Sequence, residues 1–463
     1  MTELPYLAHG PVAQAFAEQS QDYGYLYDRG QSIAWVGSRW SVGDKGDLLL
    51  RAAIGEFCNR LYGLYPVESK RHVLLDSRFR QGVLYEAKPL VPKWKFSEDF
   101  DRDDLLLGVP GNRVMDLRTG AGRGMQHADH VTKRTRIAPD PNCKAVRFTR
   151  FMEEITCGDA ELAAYLLRFC GYCLTGSTKA QCLPFWYGHG ANGKGTLLNV
   201  LHHLLGHEYG TVLRMSNLSR KEKEDDSQRR VIAKLCGARL ATANEGNSQV
   251  KLDMSLLKSL ASSDLLTGAF LYENEFVFQP SHKLIIATNH KPDLEVDTAA
   301  RRRVHLVPFD AEFTGPRENN NLDHELQGEA PGIMHLMVQA CVEWQTVGLA
   351  PPRRVSDATA RLFDDLDPIG RFAKEQLIED PEGFLTSEDL KIAYGGFLGD
   401  NGLEAYIDER ELIGRLKALP GVTRVTRGPE GARQRGLAGR KIKGNTRITG
   451  GPDVPTGRMT RVN

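Results

Sequence analysis

The 463-residue chain lacks four features, and each absence limits what it can be. It has no run of 18 consecutive apolar residues and no basic amino-terminal segment followed by an apolar one, so neither a membrane span nor export is predicted. It has no low-complexity tract, and 41% hydrophobic with 26% charged residues is typical of a chain that folds along most of its length. Its eight cysteines are scattered rather than densely spaced, which favours a reducing cytoplasm over a disulfide framework.

One pair of cysteines, Cys170 and Cys173, has the Cys-x-x-Cys spacing that metal sites use. No second Cys or Cys/His pair stands at zinc-finger spacing, and the pair lies within the apolar run 166–174. We therefore expect both thiols to be buried in helix packing, with metal binding as the alternative.

Positive charge is distributed unevenly along the chain. The formal net charge is +1, yet residues 412–463 hold twelve lysines and arginines against two acidic residues. Such an excess at one end favours contact with nucleic acid, and a merely solvated basic tail is the alternative. The candidate DNA-binding residues in this segment are Arg433, Arg435, Arg440, Lys441 and Lys443.

Four segments differ in their apolar patterns. Residues 1–130 mix helix and strand signals, residues 131–315 alternate strand-length apolar runs with longer helical patterns, and residues 316–375 include an amphipathic run at 332–345. Residues 376–463 give two helical patterns and then short strands around a basic, glycine-rich loop; Thr386 with Asp389 predicts a capping box at the first helix. These patterns predict an α/β core with a largely parallel sheet, a small helical lid and a winged-helix-like domain.

A strand, a glycine loop and a helix follow one another from residue 182. Converging backbone amides, which glycines permit, and the amino end of the following helix form a phosphate site, and a lysine supplies a mobile cation for the β- and γ-phosphates. We expect ATP to bind here; a glycine-rich turn with an incidental lysine is the alternative. The candidate nucleotide-binding residues are Gly188, Gly190, Asn192, Gly193, Lys194, Gly195 and Thr196.

Thr196 is the candidate Mg²⁺ ligand inside this loop. Phosphate loops usually place Ser or Thr directly after the lysine. Here Gly195 occupies that position and the hydroxyl follows one residue later. The loop therefore departs from the usual pattern at its metal ligand.

Two further strand ends carry polar side chains. Residues 238–243 form a short strand followed by Asn244 and Glu245, and Glu245 is the candidate general base and second Mg²⁺ ligand; a surface carboxylate is the alternative. Residues 283–288 form a buried strand followed by Asn289, the candidate sensor of the γ-phosphate, or else the cap of the turn before Pro292.

Three consecutive arginines, from Arg301 to Arg303, precede the next strand. Guanidinium groups suit the γ-phosphate charge of a neighbouring subunit, so Arg302 and Arg303 are candidate fingers of a site shared around a ring. An exposed basic turn or a DNA contact is the alternative.

Taken in order, these motifs resemble the superfamily 3 helicases, most closely the phage and plasmid primase-helicases that are related to the poxvirus primase-helicase. The segments that carry the resemblance are 188–196, 239–245, 256–264, 283–292 and 301–309, with 112–120 and 170–176 before them and 348–352 and 365–372 after them.

The resemblance implies a fold, a function and further site residues. The implied fold class is α/β, with an AAA+ type P-loop NTPase core, an N-terminal mixed α/β pre-helicase domain and a C-terminal winged-helix-like domain. The implied protein is a hexameric ATP-dependent DNA helicase that uses ATP and Mg²⁺ and moves 3′-to-5′ on single-stranded DNA in phage, plasmid or mobile-element replication, in the cytoplasm of a bacterial host. Lys258 falls in the element near the channel hairpin, where Ala269 and Ser262–Ser263 depart from the residues that relatives carry.

Three alternatives stay open at this point. A bifunctional primase-helicase is the nearest, although only some 130 residues precede the motor and they are accounted for by the pre-helicase likeness. A replication initiator that binds and melts duplex origin DNA is the second. For the helicase itself, a separate primase or initiator is a further expected partner. A P-loop enzyme of small molecules, the third, fits poorly with the basic end and the clustered arginines.

Overall fold

A computed structural model of the chain divides into two compact units, Met1–Pro292 with Arg302–Ser356 and Asp293–Arg301 with Asp357–Asn463. Each unit is described by itself. The residues that the structure describes are 4–37, 39–66, 68–91, 96–219, 226–244, 252–271, 274–294, 297–403, 408–428 and 433–443.

The first unit begins with a small helical and antiparallel region. Its helices pack through buried apolar side chains such as Phe16, Ile54 and Val83, and its strands form two antiparallel sheets in the orders β1-β2-β3 and β4-β5-β6. The elements are α1 His9–Gln19, β1 Tyr23–Leu26, β2 Gln31–Trp35, β3 Trp40–Val42, α2 Asp44–Leu64, α3 Glu68–Arg71, α4 Ser77–Ala87, β4 Leu106–Val109, β5 Arg113–Asp116 and β6 Ala121–Gly124.

The larger part of this unit alternates helices with strands. Its elements are α5 Val146–Ile155, α6 Ala160–Tyr172, β7 Leu183–Tyr187, α7 Lys194–Tyr209, β8 Gly210–Arg214, α8 Asp226–Ala233, β9 Leu240–Asn244, α9 Met254–Leu260, β10 Leu266–Gly268, β11 Phe276–Phe278, β12 Lys283–Thr288, β13 Val304–Pro308, α11 Leu322–Gly328 and α12 Ala330–Val347. Two further helices, α10 Thr298–Arg303 and α13 Arg353–Leu366, have most of their residues in the second unit. Short 3-10 helices lie at His72–Leu75, Ser97–Asp99, His127–Asp129, Met215–Asn217 and Gly315–Arg317.

Five of these strands form one parallel sheet in the order β13-β7-β12-β9-β8. All six residues of β12 are buried, as are four of five in β7 and in β9. Parallel strands of this kind are covered on both faces, which explains their continuous apolar runs. The predicted α/β core with a parallel sheet is confirmed.

Helix packing beside the sheet depends on a small residue. Gly171 of α6 lies so close to α12 that a Cβ atom there would stand 2.5 Å from the backbone nitrogen of Cys341. Cys170 and Cys173 are fully buried free thiols in the same core, and burial raises the pKa of Cys173 to about 12. The predicted packing role of this cysteine pair is confirmed, and the described residues contain no group of His, Cys, Asp and Glu that could hold a metal ion.

The second unit combines helices with a three-stranded antiparallel sheet in the order β14-β16-β15. The predicted capping box is present, because Thr386 and Asp389 exchange hydrogen bonds at the start of the first long helix. This helix continues through Gly395 and Gly396, since Leu390, Tyr394 and Phe397 bury one face of it. The elements are α14 Pro368–Gln376, β14 Leu377–Thr386, α15 Ser387–Asp400, α16 Glu409–Lys417, β15 Thr423–Arg427 and β16 Gln434–Ile442.

Of the helices that the structure describes, none is both long and apolar enough to cross a membrane.

Candidate nucleotide site and nucleic-acid surfaces

The polar strand ends predicted from the sequence meet at one edge of the parallel sheet. The glycine loop follows β7, Asn244 ends β9, and Asn289 follows β12. Thr288 pairs with Tyr187 and Ala287 pairs with Asn244, so the three strands end almost level with one another. This edge, at the carboxyl ends of the strands, is where open α/β sheets bind their ligands.

The glycine loop has a curved, partly left-handed backbone. The φ angles of Gly190, Ala191 and Gly193 are +99°, +43° and +85°, and α7 begins directly after the loop, at Lys194. A Cβ atom placed on Gly190 or on Gly195 would meet no atom within 4 Å, so the loop is open beside these two glycines. Backbone amides in such turns, together with a helix amino terminus, form a nest for an anion.

Lys194 is 6% exposed and lies inside this loop. Its ammonium donates to the carbonyl oxygen of Gly188 at 2.6 Å and to Oδ1 of Asn192 at 3.1 Å. Both of these acceptors belong to the loop itself, so the ammonium lies inside the loop. The charge and the backbone nest therefore fit a bound polyphosphate.

Asn192 is 3% exposed, and its side chain turns inward. Its Nδ2 donates to the carbonyl oxygen of Phe309 at 3.2 Å, just past the end of β13. The backbone amide of Phe313 in turn donates to Ala191 at 2.7 Å. The loop is thus tied to the segment that follows the edge strand β13.

Of the two predicted metal ligands, Thr196 lies within the described residues and Glu245 does not. Thr196 lies in the first turn of α7 and is half-buried, beside the open position of Gly195. A hydroxyl at this point of the loop is a suitable oxygen ligand for Mg²⁺ next to a bound phosphate. Glu245 lies outside the described residues.

Asn289 lies inside a tight turn, between two residues that hydrogen-bond to each other. The hydroxyl of Thr288 donates to the carbonyl oxygen of His290 at 2.6 Å and accepts from the backbone amide of His290 at 3.1 Å. Thr288 is 5% exposed. The turn therefore places Asn289 at the edge of the sheet that carries the glycine loop.

The three arginines end α10, and Arg302 and Arg303 directly precede β13, at its opposite end from the glycine loop. Arg301 contacts Asp367 at 3.6 Å and its guanidinium lies 5.0 Å from the centre of the Phe363 ring. Arg303 donates to Gln181 at 3.4 Å, whereas Arg302 is exposed. The five residues of β13 separate Arg302 and Arg303 from the loop of the same chain by roughly 17 Å.

The candidate DNA-binding residues lie in two places. Lys258 is half-buried on α9, and the neighbouring segment 264–280, which includes β10 and β11, contains no lysine or arginine. The other candidates lie in or beside β16. Arg433, Arg435 and Lys443 are exposed there, while Arg440 donates to the carbonyl oxygen of Pro420 and pairs with Glu379, and Lys441 pairs with Asp380.

Two buried cations at the amino ends of strands were not found by sequence reasoning. Arg239 donates to the carbonyl oxygens of Leu174 and Leu106, and Lys283 donates to those of Thr175 and Ser281. Burial lowers the pKa of Lys283 to about 7. A cation at the start of an otherwise apolar strand was the signal for both, and together they hold the segment that leads from α6 to β7.

Comparison with known proteins gives two family matches. Residues 13–157 match the D5 N terminal like family, and residues 186–303 match a family of unknown function, DUF5906. The second match contains the glycine loop, and the first covers most of the region that precedes it.

Curated viral proteins are similar to the chain over about half to two thirds of its length. It is 23% identical over 328 residues to "Putative helicase L207/L206" of Acanthamoeba polyphaga mimivirus, which covers 66% of the chain and 34% of that protein. It is 24% identical over 281 residues to "Putative primase C962R" of African swine fever virus (isolate Tick/Malawi/Lil 20-1/1983), covering 59% and 29%. The chain therefore spans about a third of the length of these relatives.

A solved structure, the apo C-terminal region of NrS-1, shares the fold. The two superpose with a TM-score of 0.54 at 10% identity, over 93% of this chain and 99% of the other. At this identity the likeness shows the fold alone.

Proposed function

We propose that this chain, a relative of the D5-like primase-helicases, is an ATP-dependent DNA helicase of superfamily 3. The D5-like primase-helicases are a family of DNA replication proteins. The observation that carries the proposal is the buried ammonium of Lys194 inside a left-handed glycine loop, at the carboxyl end of a central strand of a parallel sheet. Numbered by chain order within the sheet, the strands lie in the order 5-1-4-3-2. This order supports an AAA+ type core.

The loop residues account for how ATP is held. The ammonium of Lys194 has three donors: it exchanges the Gly188 oxygen for the β- and γ-phosphate oxygens and keeps its hydrogen bond to Asn192, while the loop amides surround the phosphates. Asn289 lies at the same edge to orient the γ-phosphate or its water, and Glu245 follows β9 as the proposed base. Thr196 and Glu245 would hold Mg²⁺, which would neutralise phosphate charge when bound.

The position of the arginines supports a site shared between subunits. Arg302 and Arg303 lie at the far end of β13 and cannot serve the loop of their own chain. We propose that they approach the γ-phosphate of a neighbouring copy, as in a closed ring with one repeated interface. The proposed ring is a homohexamer that moves 3′-to-5′ on single-stranded DNA.

The second unit supports a winged-helix-like DNA-binding domain. Three helices and an antiparallel sheet share one core, and β15 and β16 form a hairpin that carries Arg424, Arg427, Arg433 and Arg435. All four arginines are exposed. Exposed guanidinium groups on paired strands suit contacts with phosphates.

The experiment that tests the proposal is ATP hydrolysis with and without single-stranded DNA. We expect DNA to stimulate hydrolysis by the wild-type chain, and Lys194→Ala to abolish hydrolysis while its circular dichroism spectrum and Tm stay as in the wild type. The matched control is Lys179→Ala, an exposed lysine before β7, which keeps wild-type turnover. Unchanged turnover in Lys194→Ala would end the proposal.

A second candidate is a primase-helicase. It is favoured by the similarity of the chain to a relative that is named a primase. Primer synthesis from ribonucleotides on single-stranded DNA distinguishes the two candidates. Primers made by this chain favour the second, and unwinding without primers favours the first.

A further inference from the structure

Asn192 belongs to the glycine loop, but both of its side-chain hydrogen bonds are made within the protein. Nδ2 donates to the carbonyl oxygen of Phe309, and Oδ1 accepts from the ammonium of Lys194. The residue is almost fully buried. One amide group therefore joins the end of the edge strand β13 to the ammonium inside the loop.

The first glycine of the loop, Gly188, leaves the space that the hydrogen bond between Asn192 and Phe309 occupies. A Cβ atom on Gly188 would stand 2.3 Å from Nδ2 of Asn192 and 2.3 Å from the carbonyl oxygen of Phe309. Gly188 has no positive φ angle, so the requirement is for space and not for an unusual backbone. Any side chain there would displace the hydrogen bond between Asn192 and Phe309.

The hydrogen bonds of Asn192 connect the glycine loop with the strand that follows the candidate finger arginines. Phe309 directly follows β13, which begins next to Arg302 and Arg303 and pairs with β7 along its whole length. β13 therefore joins the two arginines to the hydrogen bond between Asn192 and Phe309, and the contact between Asn192 and Lys194 extends this connection into the loop.

We propose that Asn192 is a positioning residue, which sets the place of the Lys194 ammonium from the end of the arginine-bearing strand β13. This inference rests on the proposed ATP hydrolysis. It differs from a role in gripping phosphate, because Asn192 gives both of its side-chain hydrogen bonds to protein groups. It predicts that Asn192 governs turnover more than affinity.

Two substitutions separate the two halves of the link. Asn192→Ala removes both hydrogen bonds. We expect its Kd for a fluorescent ATP analogue to stay within about threefold and its kcat to fall by about tenfold to a hundredfold, because a misplaced catalytic group costs rates of that order. Asn192→Asp keeps an acceptor for Lys194 and loses the donor to Phe309, and its carboxylate holds the ammonium away from phosphate. We expect its Kd to rise by about tenfold or more.

The matched control is Asn199→Ala, an exposed asparagine on α7 that contacts Asp323, and both constants should stay unchanged there. Wild-type kcat in Asn192→Ala overturns the inference, and so does a joint loss of ATP binding and of Tm, which indicates a purely structural role. If the wild-type chain itself neither binds nor hydrolyses ATP, the proposed function fails instead. The two failures are therefore distinguishable.

Discussion

Lys194 and Arg302 differ in exposure as their proposed roles require. Lys194 is 6% exposed and keeps its ammonium among loop acceptors, whereas Arg302 is exposed on α10. A residue that serves its own loop is best held inside it, and one that serves a neighbouring copy must lie on the surface. Arg301 and Arg303 instead contact groups of their own chain.

The first residue-scale prediction concerns the shared site. We expect Arg302→Ala to bind ATP with wild-type affinity and to hydrolyse it at least about a hundredfold more slowly, because the γ-phosphate charge of the neighbour loses a guanidinium group. Arg303→Ala should give a smaller loss, since Arg303 also contacts Gln181. Mixing Arg302→Ala with Lys194→Ala subunits should restore hydrolysis. Failure of the mixture to regain activity would exclude a site shared between copies.

The second residue-scale prediction concerns acid stability. The ring of His305 lies 2.9 Å from the hydroxyl of Tyr165, and burial lowers the pKa of His305 to about 4. The unfolded chain takes up this proton near pH 6.5, so it binds more protons than the folded chain between pH 6.5 and 4. Stability contributed by the neutral ring is therefore complete above pH 6.5 and is lost as the pH falls through this window.

We expect the wild-type free energy of unfolding in urea to fall from pH 6.5 to 4.5, with His305 contributing about 2 kcal/mol of the loss. His305→Asn, which keeps a partner for Tyr165 without titrating, should show a smaller fall. His324→Asn, at an exposed position, is the control. Equal acid sensitivity in His305→Asn and the wild type would count against this assignment.

At the scale of elements, helix α6 connects three parts of the first unit. It packs on α12 at Gly171, its carboxyl end is held by the buried cations Arg239 and Lys283, and Tyr165 reaches His305 of β13. Each of these contacts joins residues far apart in the chain. The helix therefore fixes the sheet edge that carries the arginines relative to the core.

The element-scale prediction tests the α6 and α12 contact. The Cβ atom of Gly171→Ala would stand 2.5 Å from Cys341 N and 2.7 Å from Met337 O, both backbone atoms that cannot yield without moving α12. We expect a loss of about 1–3 kcal/mol and a lower Tm in calorimetry. The control is Gly63→Ala in α2, where nothing lies within 4 Å and where alanine should be neutral or stabilising. Equal Tm values for the two variants would contradict the prediction.

At the scale of the whole molecule, the chain joins a unit that carries the glycine loop to a smaller unit with its own core. The candidate DNA-binding residues of the smaller unit divide into two groups. Arg433 and Arg435 are exposed, whereas Arg440 and Lys441 pair with acidic residues of β14. The exposed arginines are therefore the stronger candidates for DNA contacts.

The whole-molecule prediction concerns the salt dependence of DNA binding. Loss of two phosphate contacts in Arg433→Ala/Arg435→Ala should weaken binding of the full chain to an oligonucleotide. It should also reduce the slope of log K against log salt by about 1.4 for single strands. Basal ATP hydrolysis should be retained. Arg361→Ala, an exposed position on α13, is the control. An unchanged slope in the double variant would show that Arg433 and Arg435 do not contact DNA phosphates.

Sequence patterns located the elements of the candidate site but not its internal contacts. The loop around Lys194, the strand before it and the helix after it were predictable because they depend on neighbouring residues. The link from Asn192 to Phe309 spans 117 positions, so no local pattern contains it. Arg239 and Lys283 lie 65 and 108 positions from the carbonyl groups of Leu174 and Thr175, so no local pattern contains these contacts either.

The sequence by itself determined the local chemistry of this protein: a glycine loop with its lysine, polar ends on two buried strands, and three arginines before a third. Periodicity and backbone preference act over a few residues, and they were enough to predict a parallel α/β core. Only the tertiary structure decided the order β13-β7-β12-β9-β8, which places β7 between β12 and β13 and so brings the glycine loop next to both Asn289 and Phe309. Strand order depends on packing between residues that are distant in the chain, and local sequence patterns do not contain such contacts.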